Sequence, residues 1–120
     1  MNITRKDVDA VNAVLTVQIA KADYAEKVEK KLKDYRRKAN VPGFRPGMVP
    51  VGLVKKMYWK AVLAEEVNKT LSDGLFGYIR ENNLQVLGEP LPNETEQKPV
   101  NFDTDEDFEF VFDVALAPEI

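Results

Sequence analysis

Three prolines and two glycines fall within eleven residues, from Asn40 to Pro50. Proline locks φ and removes a backbone donor, and glycine favours conformations that helices and strands avoid. No helix or central strand runs through such a stretch. The chain on either side must therefore fold as separate elements joined by an irregular loop.

Before the loop the pattern changes from period two to period 3.6. Asn2 to Lys6 reads as a short strand and Asp7 to Ala10 as a turn. Asn12 to Ile19 reads as a strand with Leu15, Val17 and Ile19 on one face and Val14, Thr16 and Gln18 on the other. A helix follows, with Asp23 as the expected cap and Glu26 completing a capping box. Tyr24, Val28, Leu32, Tyr35 and Ala39 recur at helical spacing and form its buried stripe. Glu26 with Lys30, and Glu29 with Lys33, are spaced for i,i+4 pairs on the exposed side.

After the loop, Pro50 suits the first turn of a short helix, Pro50 to Tyr58. A longer helix is expected over Lys60 to Asn82, with the stripe Leu63, Val67, Leu71, Leu75 and Tyr78/Ile79. Gly74 and Gly77 weaken that helix by roughly 1 kcal/mol each against alanine, and permit close packing. Asn82-Asn83 is its stop signal. Leu84 to Leu91 reads as a strand, Asn93 to Asp107 as a mobile acidic connection. Phe108 to Ala117 reads as a strand with Phe108, Phe110, Phe112, Val114 and Leu116 on one face. The order is β-β-α-α-α-β-β. Segregated strands and helices predict an α+β fold: an antiparallel sheet of about four strands packed against helices, with a protruding loop between helices.

The chain's 120 residues suit one domain. Cysteine and histidine are both absent. That removes thiol catalysis and zinc–thiolate sites, the commonest acid–base residue and the commonest metal ligand. No nucleophile–base pair, phosphate-cradling glycine motif, metal or cofactor signature is present, so the chain reads as a binder with no cofactor rather than an enzyme. No run approaches the ~20 apolar residues of a membrane span, and Met1 to Lys6 lacks the apolar core of a signal peptide. The expectation is a cytoplasmic protein with no membrane contact.

The net charge of −3 conceals an asymmetry. Lys27 to Lys60 holds eleven Lys and Arg against two acids, Glu29 and Asp34, a local charge of +9; the remainder has six basic and eighteen acidic residues. A basic segment in an acidic chain suggests a local polyanionic contact. Cations in the last helical turns, Lys33, Arg36, Arg37 and Lys38, also suit the helix dipole, and Lys30-Lys31 and Lys55-Lys56 equally fit solvated helix faces. Tyr58-Trp59 fits a core or helix-junction role better than a base-stacking platform. Glu65-Glu66 and Asp105-Glu106-Asp107 match no calcium loop and read as solvated faces.

Within the loop, Phe44 and Arg45 lie between Pro42 and Pro46, with Gly43 and Gly47 beside them. Proline lowers the entropy lost in holding a bound shape. Phe44 offers a large apolar anchor and Arg45 a bidentate fork. On these residues alone, Phe44 folded back on the core and Arg45 simply solvated is an equal alternative. The motif Val41-Pro42-Gly43-Phe44-Arg45-Pro46-Gly47-Met48-Val49-Pro50 resembles the ribosome-binding signature of the trigger factor family, Gly-Phe-Arg-Lys-Gly followed by a variable stretch and a proline. The basic helix before it, the proline-started helix, the long helix and the Phe-rich strand ending at Pro118-Glu119 follow the order of that family's N-terminal domain.

The resemblance implies a ribosome-binding module of a nascent-chain chaperone. Gly43, Phe44, Arg45, Pro46 and Gly47 would dock on the large ribosomal subunit, at a tunnel-exit ribosomal protein and adjacent rRNA. Pro46 stands where the family usually has lysine, and the place of Met48 is often lysine as well, so two cations are missing from the tip. Arg37, Lys38, Lys55 and Lys56 are the expected compensating rRNA contacts. Nascent polypeptides and a second copy of the chain, as a homodimer, are further implied partners. The family's peptidyl-prolyl isomerase domain lies later in the chain, so 1–120 is expected to be one ribosome-binding domain, an N-terminal piece of a longer chaperone. The alternative is a stand-alone RNA-binding domain using Lys27 to Lys60.

Overall fold

Ala13, Leu15, Val17 and Ile19 alternate along β2 (Asn12–Ile19) and are all but inaccessible to water. Their partners on β4 (Phe108–Leu116) are Val114, Phe112, Phe110 and Phe108. Side chains directly opposite in an antiparallel pair share a face, so these eight residues form one apolar sheet surface. A computed structural model describes residues 1–118 of the chain; Glu119 and Ile120 lie outside the described residues. β1 (Asn2–Asp7) pairs antiparallel with β2, and β3 (Val86–Pro92) with β4, giving the order β1-β2-β4-β3. The fold is α+β with a four-stranded antiparallel sheet.

β3 is an edge strand and an irregular one. Its register shifts between Leu87 and Leu91, where Gly88 takes φ +72° and Pro90 has no N–H to offer. Beyond Pro92 the strand stops, but pairing continues through a side chain. The Gln97 carboxamide accepts from the Val111 N–H at 2.9 Å and donates to the Glu109 carbonyl at 2.8 Å. Far from being loose, the acidic connection is fastened at its other end as well. Glu106 accepts from the Tyr24 hydroxyl through its carbonyl, and Asp107 from the Lys21 N–H. Burial, then the Glu106 carboxylate, raises the Tyr24 pKa.

Two helices carry the rest. α1 (Lys21–Lys38) buries Tyr24, Val28 and Leu32 as its period predicts. Its cap differs from expectation: Ala20 is the N-cap, and Asp23 sits one turn inside, accepting from the Ala20 N–H at 2.8 Å. Hydrogen bonds from the N-terminal ammonium, then from that N–H, hold the Asp23 carboxyl below the usual carboxylate range. The exposed i,i+4 pairs of α1 give way to ties across the helices, Lys31–Glu65 at 3.2 Å and Lys55–Glu29 at 3.3 Å. The Glu65 hydrogen bond, then its charge, raises the Lys31 pKa.

The expected pair of helices after the loop is a single one. α2 runs unbroken from Val51 to Glu81, so the observed order is β-β-α-α-β-β with two helices rather than three. No proline or glycine interrupts Leu53 to Asp73, and Val54 extends the buried stripe of Val62, Leu63, Val67, Leu71 and Leu75 toward the N-terminus. Of the two expected roles Tyr58 takes the core one, not the junction: with Trp59 it packs against the core, and it stacks on Tyr35 of α1, centroids 5.0 Å apart. Glu66, expected on a solvated face, is buried on the same stripe. At the far end Asn83 adopts φ 52°, Leu84 N–H reaches the Ile79 carbonyl, and Asn83 N–H that of Arg80. These two bonds close a Schellman motif with asparagine in the left-handed position.

α2 packs its C-terminal half on β1 and β2, and α1 lies along α2. At 1.5 Å per residue the 31 residues of α2 span about 46 Å. The helical pair therefore projects beyond the sheet, and the molecule measures 65 × 25 × 22 Å. The Asn40–Pro50 loop joins the helix ends remote from the sheet.

Candidate functional site

The loop is built from two successive turns of the same sequence form. In the first, Val41-Pro42-Gly43-Phe44, the Phe44 N–H returns to the Val41 carbonyl at 3.1 Å and Gly43 has φ +90°. In the second, Arg45-Pro46-Gly47-Met48, the Met48 N–H returns to the Arg45 carbonyl at 2.9 Å and Gly47 has φ +82°. Proline at the second position and a positive-φ glycine at the third are the demands of a type II turn. Phe44 and Arg45 sit at the junction of the two turns, where the chain points outward. Pro46 thus makes the second turn a copy of the first.

The loop's feet are buried. Ala39 and Val49 are almost wholly inaccessible, and Val41 packs against the core. The Arg36 Nε–H donates to the Val49 carbonyl at 2.8 Å, tying the last turn of α1 to the segment entering α2. In the sequence Arg36 is one cation among several in the last turns of α1. No spacing rule links it to Val49, thirteen residues on. Above these feet Phe44 is 42% and Met48 67% exposed, so Phe44 does not fold back on the core. Arg45 is exposed and makes no ion pair among the described residues.

The four expected flanking cations divide in two. Arg37 is paired with Asp34 in its own helix, and Lys55 with Glu29 across the helices. Lys38 and Lys56 are exposed and unpaired among the described residues. With Arg45 they surround the loop with positive charge. Among the described residues no group of three or more His, Cys, Asp or Glu is placed to hold a metal.

A family model described as "Bacterial trigger factor protein (TF)" matches residues 1–120. The chain belongs to the bacterial trigger factor family. Among curated trigger factors it is similar to that of Azospirillum brasilense, 32% identical over 120 residues that cover all of this chain and 26% of the relative. It is also similar to that of Rickettsia prowazekii (strain Madrid E), 36% identical over 93 residues covering 78% of this chain and 20% of the relative. The chain thus spans about a quarter of the length of these trigger factors. A solved structure reported under "Promiscuous Substrate Recognition in Folding and Assembly Activities of the Trigger Factor Chaperone" has the same fold, with TM-score 0.55 and 22% identity, over 99% of this chain and 27% of that one. The chain is a module of a chaperone family, and its double turn presents Phe44, Arg45 and Met48 exposed.

Proposed function

We propose that this module docks a nascent-chain chaperone on the large ribosomal subunit through Gly43-Phe44-Arg45-Pro46-Gly47. The observation that carries the proposal is the double turn, which holds an exposed aromatic and an arginine without an ion pair among the described residues together at the end of a projecting helical pair. A shape fixed before binding lowers the ordering entropy lost on contact. Phe44 supplies the apolar anchor, worth roughly 1.5–3 kcal/mol when fully buried by a partner. Arg45 supplies a bidentate grip on a carboxylate or phosphate. The partner is a tunnel-exit ribosomal protein with adjacent rRNA, which Lys38 and Lys56, and Arg37 and Lys55 after release from their acids, are placed to approach.

The module supplies no chemistry: it is a binder without cofactor or isomerase activity of its own. It works in the cytoplasm as one domain, 1–120, of a longer chaperone, raising the local concentration of the holding surface where nascent polypeptides emerge. Self-association into a homodimer away from the ribosome belongs to the same reading. Co-sedimentation with purified bacterial ribosomes tests it. Phe44→Ala/Arg45→Ala should lose pelleting while keeping its unfolding midpoint, since both side chains are exposed. Equal pelleting of variant and parent overturns the proposal. Loss of naked-RNA binding by the same variant would instead favour the stand-alone RNA-binding reading of Lys27 to Lys60.

A further inference from the structure

Directly behind the loop, between the last turns of α1 and the first of α2, lies a small cleft of about 120 Å³. Its floor is aliphatic, formed by Leu32 and Val54, with half-exposed Val51 at the mouth. Its rim is cationic: Lys33, Arg36 and Lys55. Among the described residues the one acid lining it is Glu29, which pairs with Lys55 at 3.3 Å. Lys33 has no ion-pair partner among the described residues, and Arg36 spends only its Nε on the Val49 carbonyl, leaving its two terminal nitrogens for a ligand.

We infer that this cleft is a second docking point, which takes an aliphatic side chain flanked by carboxylates on the protein partner engaged by the loop tip; the inference rests on the docking role proposed above. Size selects the occupant first. A cavity of about 150 Å³ admits benzene, so this one admits a single aliphatic side chain. Charge selects next. A cationic rim repels a basic peptide and attracts an acidic one, while an aliphatic floor offers a phosphodiester backbone nothing to bind. Continuity with the loop supplies the third argument. Val51 follows directly on Pro50, and Arg36 both lines the cleft and holds the loop's closing carbonyl. One partner surface can reach the tip and the cleft together, and engagement of either raises the effective concentration for the other.

Val51→Glu places a carboxylate at the cleft mouth. At the first residue of α2, whose first turn has no acid, that change suits the helix dipole and leaves the fold intact. Val51→Glu and Lys33→Glu should each weaken ribosome co-sedimentation roughly ten-fold, the scale of one lost aliphatic burial, with the Phe44 and Arg45 amide resonances unmoved. Parental affinity in both variants overturns the inference. So does a loss confined to Lys33→Glu, because that outcome marks an RNA phosphate contact and not a side-chain pocket. A second measurement is independent of the ribosome. Titration with the blocked peptide Asp-Leu-Glu should shift the Val51 and Val54 methyl resonances, and Lys-Leu-Lys should not. No shift with the acidic peptide overturns the cleft. If the parent chain fails to pellet yet the acidic peptide shifts those methyls, the ribosome reading fails and the cleft stands.

Discussion

At the scale of single residues, Gly43 and Gly47 decide the shape of the loop. Each holds a positive φ with no heavy atom near the place a Cβ would take, so only backbone strain opposes a side chain there. The left-handed region disfavours L-residues by roughly 1–2 kcal/mol. Gly43→Ala should therefore speed hydrogen exchange at the Phe44 amide, and Gly47→Ala at the Met48 amide, by about 5–30-fold. Gly52→Ala, inside α2 with equally open space, should change neither. Part of this was legible from the residues alone. Pro42-Gly43 and Pro46-Gly47, four positions apart, carry the type II signature twice, and a turn-by-turn reading recovers both. The Arg36–Val49 bond was not legible, because it depends on how two helix ends approach each other. Asp23 shows the same limit at shorter range: the carboxylate was recognised as a helix-start signal, but whether it caps from outside or from within the first turn depends on where Ala20 turns into the helix.

At the scale of elements, the residue pattern located every strand within two residues and the main stripe of both helices, though not Val54 or Glu66 on the buried face of α2. It failed on continuity. Tyr58-Trp59 looked like a boundary because Pro50 opens one helical segment and the clearest stripe begins only at Leu63. Yet no residue there lacks an N–H or prefers positive φ, and Tyr58 finds its partner in Tyr35 of α1. Aromatic stacking between helices leaves no trace in the periodicity of either one. The two glycines of α2 now separate. A Cβ on Gly77 would meet nothing closer than the end of the Arg80 side chain at 3.9 Å, whereas one on Gly74 would collide with the end of the Met1 side chain. Gly77→Ala should stabilise the domain by about 0.5–1 kcal/mol, the gain in helix propensity. Gly74→Ala should gain less, because the Met1 thioether must move aside. Urea unfolding of the two variants against the parent measures the difference.

At the scale of the whole molecule, a long thin shape follows from one helix of 31 residues crossing a small sheet. The Cα radius of gyration is 18.3 Å, against about 14 Å for a globular chain of this length. Small-angle scattering in dilute solution should return a value near the first figure; one near the second would mean that the helical pair folds back on the sheet. Charge follows the same axis in part: most of the basic Lys27–Lys60 segment lies in the projecting helices, while the acidic connection is tied to the start of α1 and, through Asp103, to Lys60 at 3.1 Å. Sequence revealed that imbalance but not its direction in space, which needed the continuous α2 to separate the poles. The double turn has a last consequence. Each half closes through its own hydrogen bond within four residues, so the contour of the tip is written almost entirely in Val41 to Met48. The eight residues form a portable epitope: closed into a ring, or grafted between two helices of an unrelated scaffold, they would carry their outline with them. On the docking role proposed above, the body behind serves as handle and spacer, setting how far the sheet lies from the docked tip.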